Sequence, residues 1–492
     1  MPVGEAGSSR KLTVVAILLS MFMSAMEATV VATAMPSVIA QLRGIELYGW
    51  VGATYMLTMT VSIPTWGKLA DRLGRKPVML AGHAFFMLGS IGSGAATSMW
   101  MLIVMRAIQG IGAGSLQPVA LTIVGDIFTV EERGRIQGLF GAVWGFSAMI
   151  GPLLGGVIVS ALSWRWVFFL NVPFGVLSAA ILIAFYREGK AQANSAPTRK
   201  PLDLAGAITL SVAVVALLLG AGGTLPILTV PLAIGATVLF VVVERRSPDP
   251  ILPMPLLSEP VVRSSTILGA LMGATMMVTL MYTPLYVAAV LGGSPTDAGS
   301  SVAPMLIGWP IASAVSGRLI GRFGYRPLVR IGLFVVGAGC LMLLGVTGAG
   351  PWALRGASFL AGVGMGLSNT ALIIAVQSSV GHQARGVATA STLFARSIGG
   401  AVAVGATGAL VAALLRGRVP EHLLDELLSH DRSKVDPSVI GPYLQAITDA
   451  LKPTFMVMAG LGVLSSVAGW FFPNVAPHST VDKASSDLEA AG

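Results

Sequence analysis

Stretches of about twenty apolar residues recur along this chain from one end to the other, more than a soluble fold could bury. In lipid each such stretch must satisfy its own backbone hydrogen bonds, which leaves the α-helix as the spanning element. Of the 492 residues 54% are hydrophobic and 11% charged, against about 25% charged in a soluble domain. The expected fold class is therefore an all-α polytopic membrane protein. We read fourteen spans, the first at 12–36 and the last at 453–472. The first apolar run, from Leu12, is too long for the apolar part of a cleaved signal and is expected to stay as a span. A single cysteine, Cys340, rules out an intramolecular disulfide.

The net charge of +9 raises the question of nucleic acid. Its distribution answers it: Lys and Arg sit in alternate short loops, as at Arg10, Lys11, Lys68, Arg72, Arg75, Lys76, Arg133, Arg135, Arg318, Arg322 and Arg326, and form no continuous stripe. By the positive-inside rule those loops and both termini are expected to be cytoplasmic, in a plasma (inner) membrane. No phosphate-binding Gly-x-x-x-x-Gly-Lys-Ser/Thr stretch, metal cluster or nucleophile–base pair is present, so neither an enzyme nor an ATP-driven pump is expected.

An internal repeat organises the spans. Gly67-Lys68-Leu69-Ala70-Asp71-Arg72-Leu73-Gly74-Arg75-Lys76-Pro77 returns 250 residues later as Gly317-Arg318-Leu319-Ile320-Gly321-Arg322-Phe323-Gly324-Tyr325-Arg326-Pro327. Gly110, Gly112 and Gly114 are likewise echoed by Gly362, Gly364 and Gly366. The expected domains are an N-terminal tail (1–11), a six-helix bundle (12–186), a linker (187–203), two inserted helices (204–244), a loop (245–263), a second six-helix bundle (264–472) with an external loop (416–452), and a disordered tail (473–492). The prolines from Pro248 to Pro260 forbid one continuous helix through the 245–263 loop, and Leu423, Leu424, Leu427 and Leu428 suggest a short amphipathic helix in the external one. Two like-oriented halves with a working site between them is a transporter plan.

One carboxylate stands inside the first apolar segment: Glu27 has uncharged residues on both sides from Leu12 to Leu42. A charge there costs at least about 2.5 kcal/mol, and intramembrane acids commonly mark ion paths. Glu27 is placed roughly 14 Å deep and Arg106 roughly 9 Å deep from the same face, close enough for two long side chains to meet or for Arg106 to tune the acid. Arg396, roughly 15 Å deep, needs a cavity or a partner; substrate contact and structural pairing stay equally open. Arg355 reads as a snorkelling residue, and His83 as a packing or hydrogen-bonding one. Met277 and Met281, with Met272, Met276, Tyr282 and Tyr286, suit a soft apolar site, although lipid-facing or packing roles are the commoner use. Tyr55, Gln109, Gln117, Trp144, Asn369 and Gln377 are candidates for its polar contacts.

Five stretches carry a resemblance: Glu27 to Pro36; Gly67 to Lys76; Arg106 to Gly114; Gly145 to Gly156, with Gly151-Pro152 and Gly155-Gly156; and Trp164 to Phe174. Through them the chain resembles the major facilitator superfamily, and within it the fourteen-span drug:proton antiporters. Glu27 stands where Asp is commoner, and Met149 where Gly is often found. The resemblance implies two six-helix bundles plus two inserted helices, working by alternating access. It implies proton coupling through Glu27 and Arg106. It implies a gating loop of Gly67, Asp71, Arg72, Gly74, Arg75 and Lys76, in which Asp71 docks on the start of the thirteenth span (387–415), near Arg385, and Arg75 pairs with Asp126. An antiporter motif of Gly145, Gly151, Pro152, Gly155 and Gly156 completes it, its small residues permitting close packing and its proline a bend. The expected partners are protons, lipophilic small molecules and membrane lipids, with the proton gradient in place of a cofactor and a monomer as the unit. Export of an endogenous lipid or metabolite, and a non-transporting receptor or scaffold, are the competing readings.

Overall fold

The computed structural model describes residues 3–43, 47–188, 203–221, 225–292, 295–345, 350–418 and 437–474. Among them every regular element is helical. The helices are α1 (Val3–Leu42), α2 (Tyr48–Leu73), α3 (Arg75–Gly94), α4 (Met99–Ile127), α5 (Val130–Ala161), α6 (Arg165–Phe169), α7 (Asn171–Phe185), α8 (Leu204–Ala221), α9 (Pro226–Arg246), α10 (Met254–Ser258), α11 (Pro260–Ala289), α12 (Pro295–Phe323), α13 (Tyr325–Gly345), α14 (Pro351–Ser379), α15 (Arg385–Leu415) and α16 (Pro437–Trp470). Ten apolar helical segments among the described residues are long enough to cross a membrane, and α8 adds a shorter one. The prolines of the 245–263 stretch break it as expected, into the end of α9, short α10 and the start of α11. The external loop's leucine cluster and most of the linker and tail lie outside the described residues.

Contacts divide the chain into two compact units. One comprises Met1–Val214, Thr237–Val262 and Val376–Phe394; the other Val215–Ala236, Arg263–Ala375 and Ala395–Gly492. The first has an apolar core where Met26, Val30 and Val38 of α1 meet Leu102 and Ile103 of α4 and Val167 and Phe168 of α6. The second is centred on Val278, Tyr282 and Tyr286 of α11, Leu354 of α14 and Phe455 of α16, with Tyr286 and Phe455 edge to face at 4.9 Å.

The repeat is legible in the packing. In the first unit, a Cβ on Gly110, Gly112 or Gly114 would come under 3.0 Å of Tyr55 O, Phe86 N or Met59 O. In the second, a Cβ on Gly362, Gly364 or Gly366 would meet Met305 O, Val336 N or Trp309 O equally closely. Each of these partners lies 250 residues after its counterpart. Three glycines two apart thus let α4 press against the backbones of α2 and α3, and α14 against those of α12 and α13, in the same register. Gly74 and Gly324, also 250 apart, take φ values of 97° and 75° at the turns that close α2 and α12, where a side chain would be strained.

Some helix ends fall beyond the expected spans. α1 runs from 3 to 42, and α16 begins at 437, well before 453. The extension of α16 carries Gln445, Asp449 and Lys452, joined one turn apart, so its polarity hid a helix that local side-chain pairs support.

Candidate functional site

The first unit holds a buried charge pair. α1 brings Glu27 and α4 brings Arg106 into a salt bridge in which neither side chain retains appreciable exposure. A buried pair of this kind survives only if the remaining donors and acceptors are satisfied, and here they are. Asn171, at the start of α7, donates to the second Glu27 oxygen and to Ser90 Oγ of α3 at 3.0 Å. Arg106 donates to Gln109 Oε1 at 2.8 Å and to the Val51 carbonyl of α2 at 3.3 Å. Gln109 passes a bond to Ser90 at 3.3 Å, and Ser90 donates to Phe168 O at 2.7 Å. The guanidinium lies 4.2 Å from the centre of the Tyr55 ring, a cation–π contact that needs no further donor. Five helices besides α1, namely α2, α3, α4, α6 and α7, therefore contribute to the network around one carboxylate, which faces the bundle interior and has no exposed surface in this conformation.

A second polar cluster holds the end of the same unit that carries the loop from Gly67 to Lys76. Both Asp71 oxygens accept backbone N–H groups at the first turn of α15, from Gly386 at 2.8 Å and Val387 at 2.7 Å. A carboxylate there meets the positive end of the helix dipole. Arg75 bridges Asp71 at 2.9 Å and Asp126 at 3.0 Å, and donates to the carbonyls of Ala70 and His382. Arg385 pairs with Asp126 at 2.9 Å rather than reinforcing Asp71, because its side chain runs back along Gln377 O and Gly125 O toward the end of α4. Gly67 is required where α2 crosses α15: a Cβ there would come under 3.0 Å of Gly386 O and the Ala390 side chain. Lys76 is held by Ile183 O and Tyr186 O at 2.8 Å each. Lys68 and Arg72 take a partner outside the motif, Asp249, in the loop after α9.

The other candidates are dispersed. Tyr55 and Gln109 belong to the Glu27 network, and Gln377 donates to Leu121 O at 3.0 Å beside the Asp71 cluster. In the second unit Arg396 donates to Asn369 at 3.2 Å, and Tyr282 OH to Val404 O at 3.0 Å. Met277 packs against Gly400, whereas Met281 is 56% exposed and Trp144, in the first unit, 38%. Gln117 is half-buried on α4. Of the glycine motif on α5, Gly151 and Gly155 are buried, Gly145 is half-buried, and a Cβ on Gly156 would meet open space; helix α5 runs unbroken past Pro152. Arg355 bonds Ser300 at 2.7 Å and Asp297 at 3.5 Å and stacks on Trp352.

Sequence reasoning missed Asn171, Ser90 and Asp249. Asn171 was visible as a polar residue amid Trp164 to Phe174, but only a packed bundle shows that it faces Glu27. Ser90 and Asp249 left no local signal.

Comparison with known proteins gives this arrangement its context. Residues 17–404 match the model of the Major Facilitator Superfamily. The chain is 34% identical over 480 residues to the multidrug transporter protein MdtP of Bacillus subtilis, covering 89% of this chain and 88% of that one. It is 37% identical over 403 residues to multidrug resistance protein 3 of the same organism, covering 80% and 78%. Among solved structures, the human organic anion transporter MFSD10 superposes with a TM-score of 0.64 at 16% identity, covering 93% of this chain and 99% of that one. The proton:xylose symporter XylE gives 0.64 at 14% identity, covering 95% and 96%. The match across most of the length, the multi-pass helical fold and the repeated halves lead to one assignment: this chain belongs to the Major Facilitator Superfamily and is a membrane transporter, not an enzyme.

Proposed function

We propose that the protein is a proton-coupled antiporter that exports hydrophobic or cationic amphipathic compounds by alternating access, through fourteen spans in the plasma membrane with both termini cytoplasmic. The observation that carries this reading is the buried Glu27–Arg106 pair on α1 and α4. A carboxylate kept in an apolar bundle by one guanidinium and one amide has two stable conditions: paired and ionised, or protonated and released from the arginine. Exchange between them, when the bundle opens to the outside, takes up a proton and redistributes Asn171 and Arg106, and a single embedded acid suits a low proton stoichiometry. The Asp71–α15 cluster supports a cytoplasmic lock, closed while the proton site faces outward and broken when substrate enters from the cytoplasm or inner leaflet. The names of the bacterial relatives support drug-like cargo.

The test is a transport panel with purified protein in proteoliposomes under an imposed pH gradient, using lipophilic cations, neutral amphiphiles and the lipids that copurify. Accumulation of a lipophilic compound that collapses with the gradient is the expected result. Movement that ignores the gradient for every compound would overturn the coupling, and movement of a copurified lipid alone would reassign the cargo.

A further inference from the structure

The Glu27 network is one of two polar layers in the same three-helix seam. Seven residues along each helix from Glu27 of α1, Ser90 of α3 and Asn171 of α7 stand Ser20, His83 and Ser178, all fully buried and mutually bonded. Seven residues are about two turns, or roughly 10 Å. A further seven toward the end that carries the Gly67–Lys76 loop lie Thr13 and Lys76, the latter on the carbonyls of Ile183 and Tyr186. The seam thus carries polar groups from the outer half of the bundle to the basic end, and His83 is the titratable group in its middle layer.

The His83 layer is built to accept a proton without losing a hydrogen bond. Nδ1 lies 2.7 Å from Met79 O, an acceptor only, so Nδ1 carries the hydrogen. Nε2 lies 2.9 Å from Ser20 Oγ and 3.1 Å from Ser178 Oγ, and each serine also reaches Ala16 O, at 2.9 and 2.8 Å. With the ring neutral, one serine donates to Nε2 and the other to Ala16 O. With the ring protonated, Nε2 donates to one serine, that serine turns its hydroxyl to the other, and the second serine donates to Ala16 O. Between the two layers α7 has Gly175, against which Met23 of α1 and Met87 of α3 press their sulfurs. Unbranched thioethers over a glycine make a barrier that moves easily.

The charged and titratable groups around this layer are few. Glu27 on α1 and Arg106 on α4 lie one layer outward, and Lys76 on α3 lies one layer inward, its backbone N–H bonded to the Glu188 carboxylate at 2.7 Å. Asp71 and Arg72 on α2 are engaged with α15 and Asp249, and Arg133 on α5 is engaged with Phe128 O and Gly125 O. α7 contributes only the neutral Asn171 and Ser178.

We propose that His83 is a second proton station in series with Glu27: the proton leaving Glu27 crosses the Met23–Met87 barrier through water, rests on His83 Nε2, and exits to cytoplasmic water at the Lys76 end. One O–H bond breaks at Glu27 and one N–H bond forms at His83; that bond then breaks to water, the imidazole returns to neutral, and no electrons are exchanged. The proposal rests on the proton-coupling reading above.

The test compares His83→Gln, Met87→Ile and Glu27→Gln in proteoliposomes, measuring pH-gradient-driven transport between about pH 5 and 8 beside substrate–substrate counterflow, which needs no net proton movement. Glutamine offers a donor and an acceptor but does not titrate. His83→Gln is expected to keep counterflow and lose gradient-driven flux by about tenfold or more, with a flattened pH profile. Gradient-driven flux equal to wild type overturns the proposal. Should His83→Gln lose counterflow as well, Met87→Ile, which leaves the His83 layer intact, decides. Selective loss of gradient-driven flux upholds the relay, and unchanged flux overturns it. Glu27→Gln separates the two readings. If it is inactive while His83→Gln is normal, only the relay falls; if it still couples protons, the underlying reading falls and takes the relay with it.

Discussion

Replacing Asp71 with asparagine removes a charge while keeping the side chain's shape, and the structure sets what that costs. Both carboxylate oxygens accept an N–H from the first turn of α15, and Oδ1 also pairs with Arg75. An amide offers one acceptor, so one N–H loses its partner and the Arg75 guanidinium keeps only Asp126 of its two counter-charges. A hydrogen bond to a charged group is worth about 1.5–3 kcal/mol, and the charge at the helix terminus adds about 0.3–1 kcal/mol. The loss of about 2–4 kcal/mol lowers the closed-to-open ratio of the lock by roughly 30- to 1000-fold. A transporter holds its two states within a few kcal/mol of each other, so such a loss reverses the preference. Spin labels at Leu73, 53% exposed at the end of α2, and at exposed Gln383 before α15 would report it, with Cys340 changed to serine. The variant should show a longer distance as the main population. A distribution indistinguishable from wild type would refute the assignment of closing energy to Asp71.

Three further outcomes follow from the packing and the charges. Gly112→Ala places a Cβ against the Phe86 backbone, which cannot retreat as a side chain would; it should lower stability in detergent by about 1–3 kcal/mol, whereas Gly156→Ala, facing open space, should leave the melting temperature unchanged. Asp249→Ala breaks partly exposed ion pairs to Lys68 and Arg72, a loss of under about 1 kcal/mol, yet it frees the loop after α9 and should speed tryptic cleavage at Arg246. Arg106→Lys keeps the charge but cannot reach Glu27, Gln109 and Val51 O together; gradient-driven transport should fall severalfold while expression holds, and full activity would argue against a role for the guanidinium fork.

The parts of the architecture that were legible in the sequence are those that periodicity and charge write locally. The repeat of Gly110, Gly112 and Gly114 at Gly362, Gly364 and Gly366 announced two similar halves, and the structure puts both sets to the same use. Glu27 and Arg106 stood out because charges in apolar segments are costly enough to need each other. The resemblance implies the contacts of Asp71 with the start of α15 and of Arg75 with Asp126, and the structure holds both; nothing in the sequence pointed to Arg75 also bridging Asp71 and reaching the Ala70 and His382 carbonyls. The partner of Arg385 was not legible either: Arg385 sits one residue before Gly386, and which carboxylate it meets depends on how α14 returns into α15. The neutral members of the network were beyond reading, since serine, asparagine and glutamine are common in membrane helices and only register against neighbouring helices gives them a role. The spacing of seven that relates Ser20 to Glu27, His83 to Ser90 and Asn171 to Ser178 was present in the sequence, but it acquires meaning only once α1, α3 and α7 are known to be adjacent.

Glu27 is the proposed seat of the coupling proton, and its most direct test is substrate-induced proton movement by Glu27→Gln in proteoliposomes, followed with an internal pH dye. The variant is expected to bind substrate yet move no protons in response to it and build no gradient-driven accumulation, while Glu27→Asp retains both. Wild-type proton release and accumulation by Glu27→Gln would contradict this assignment.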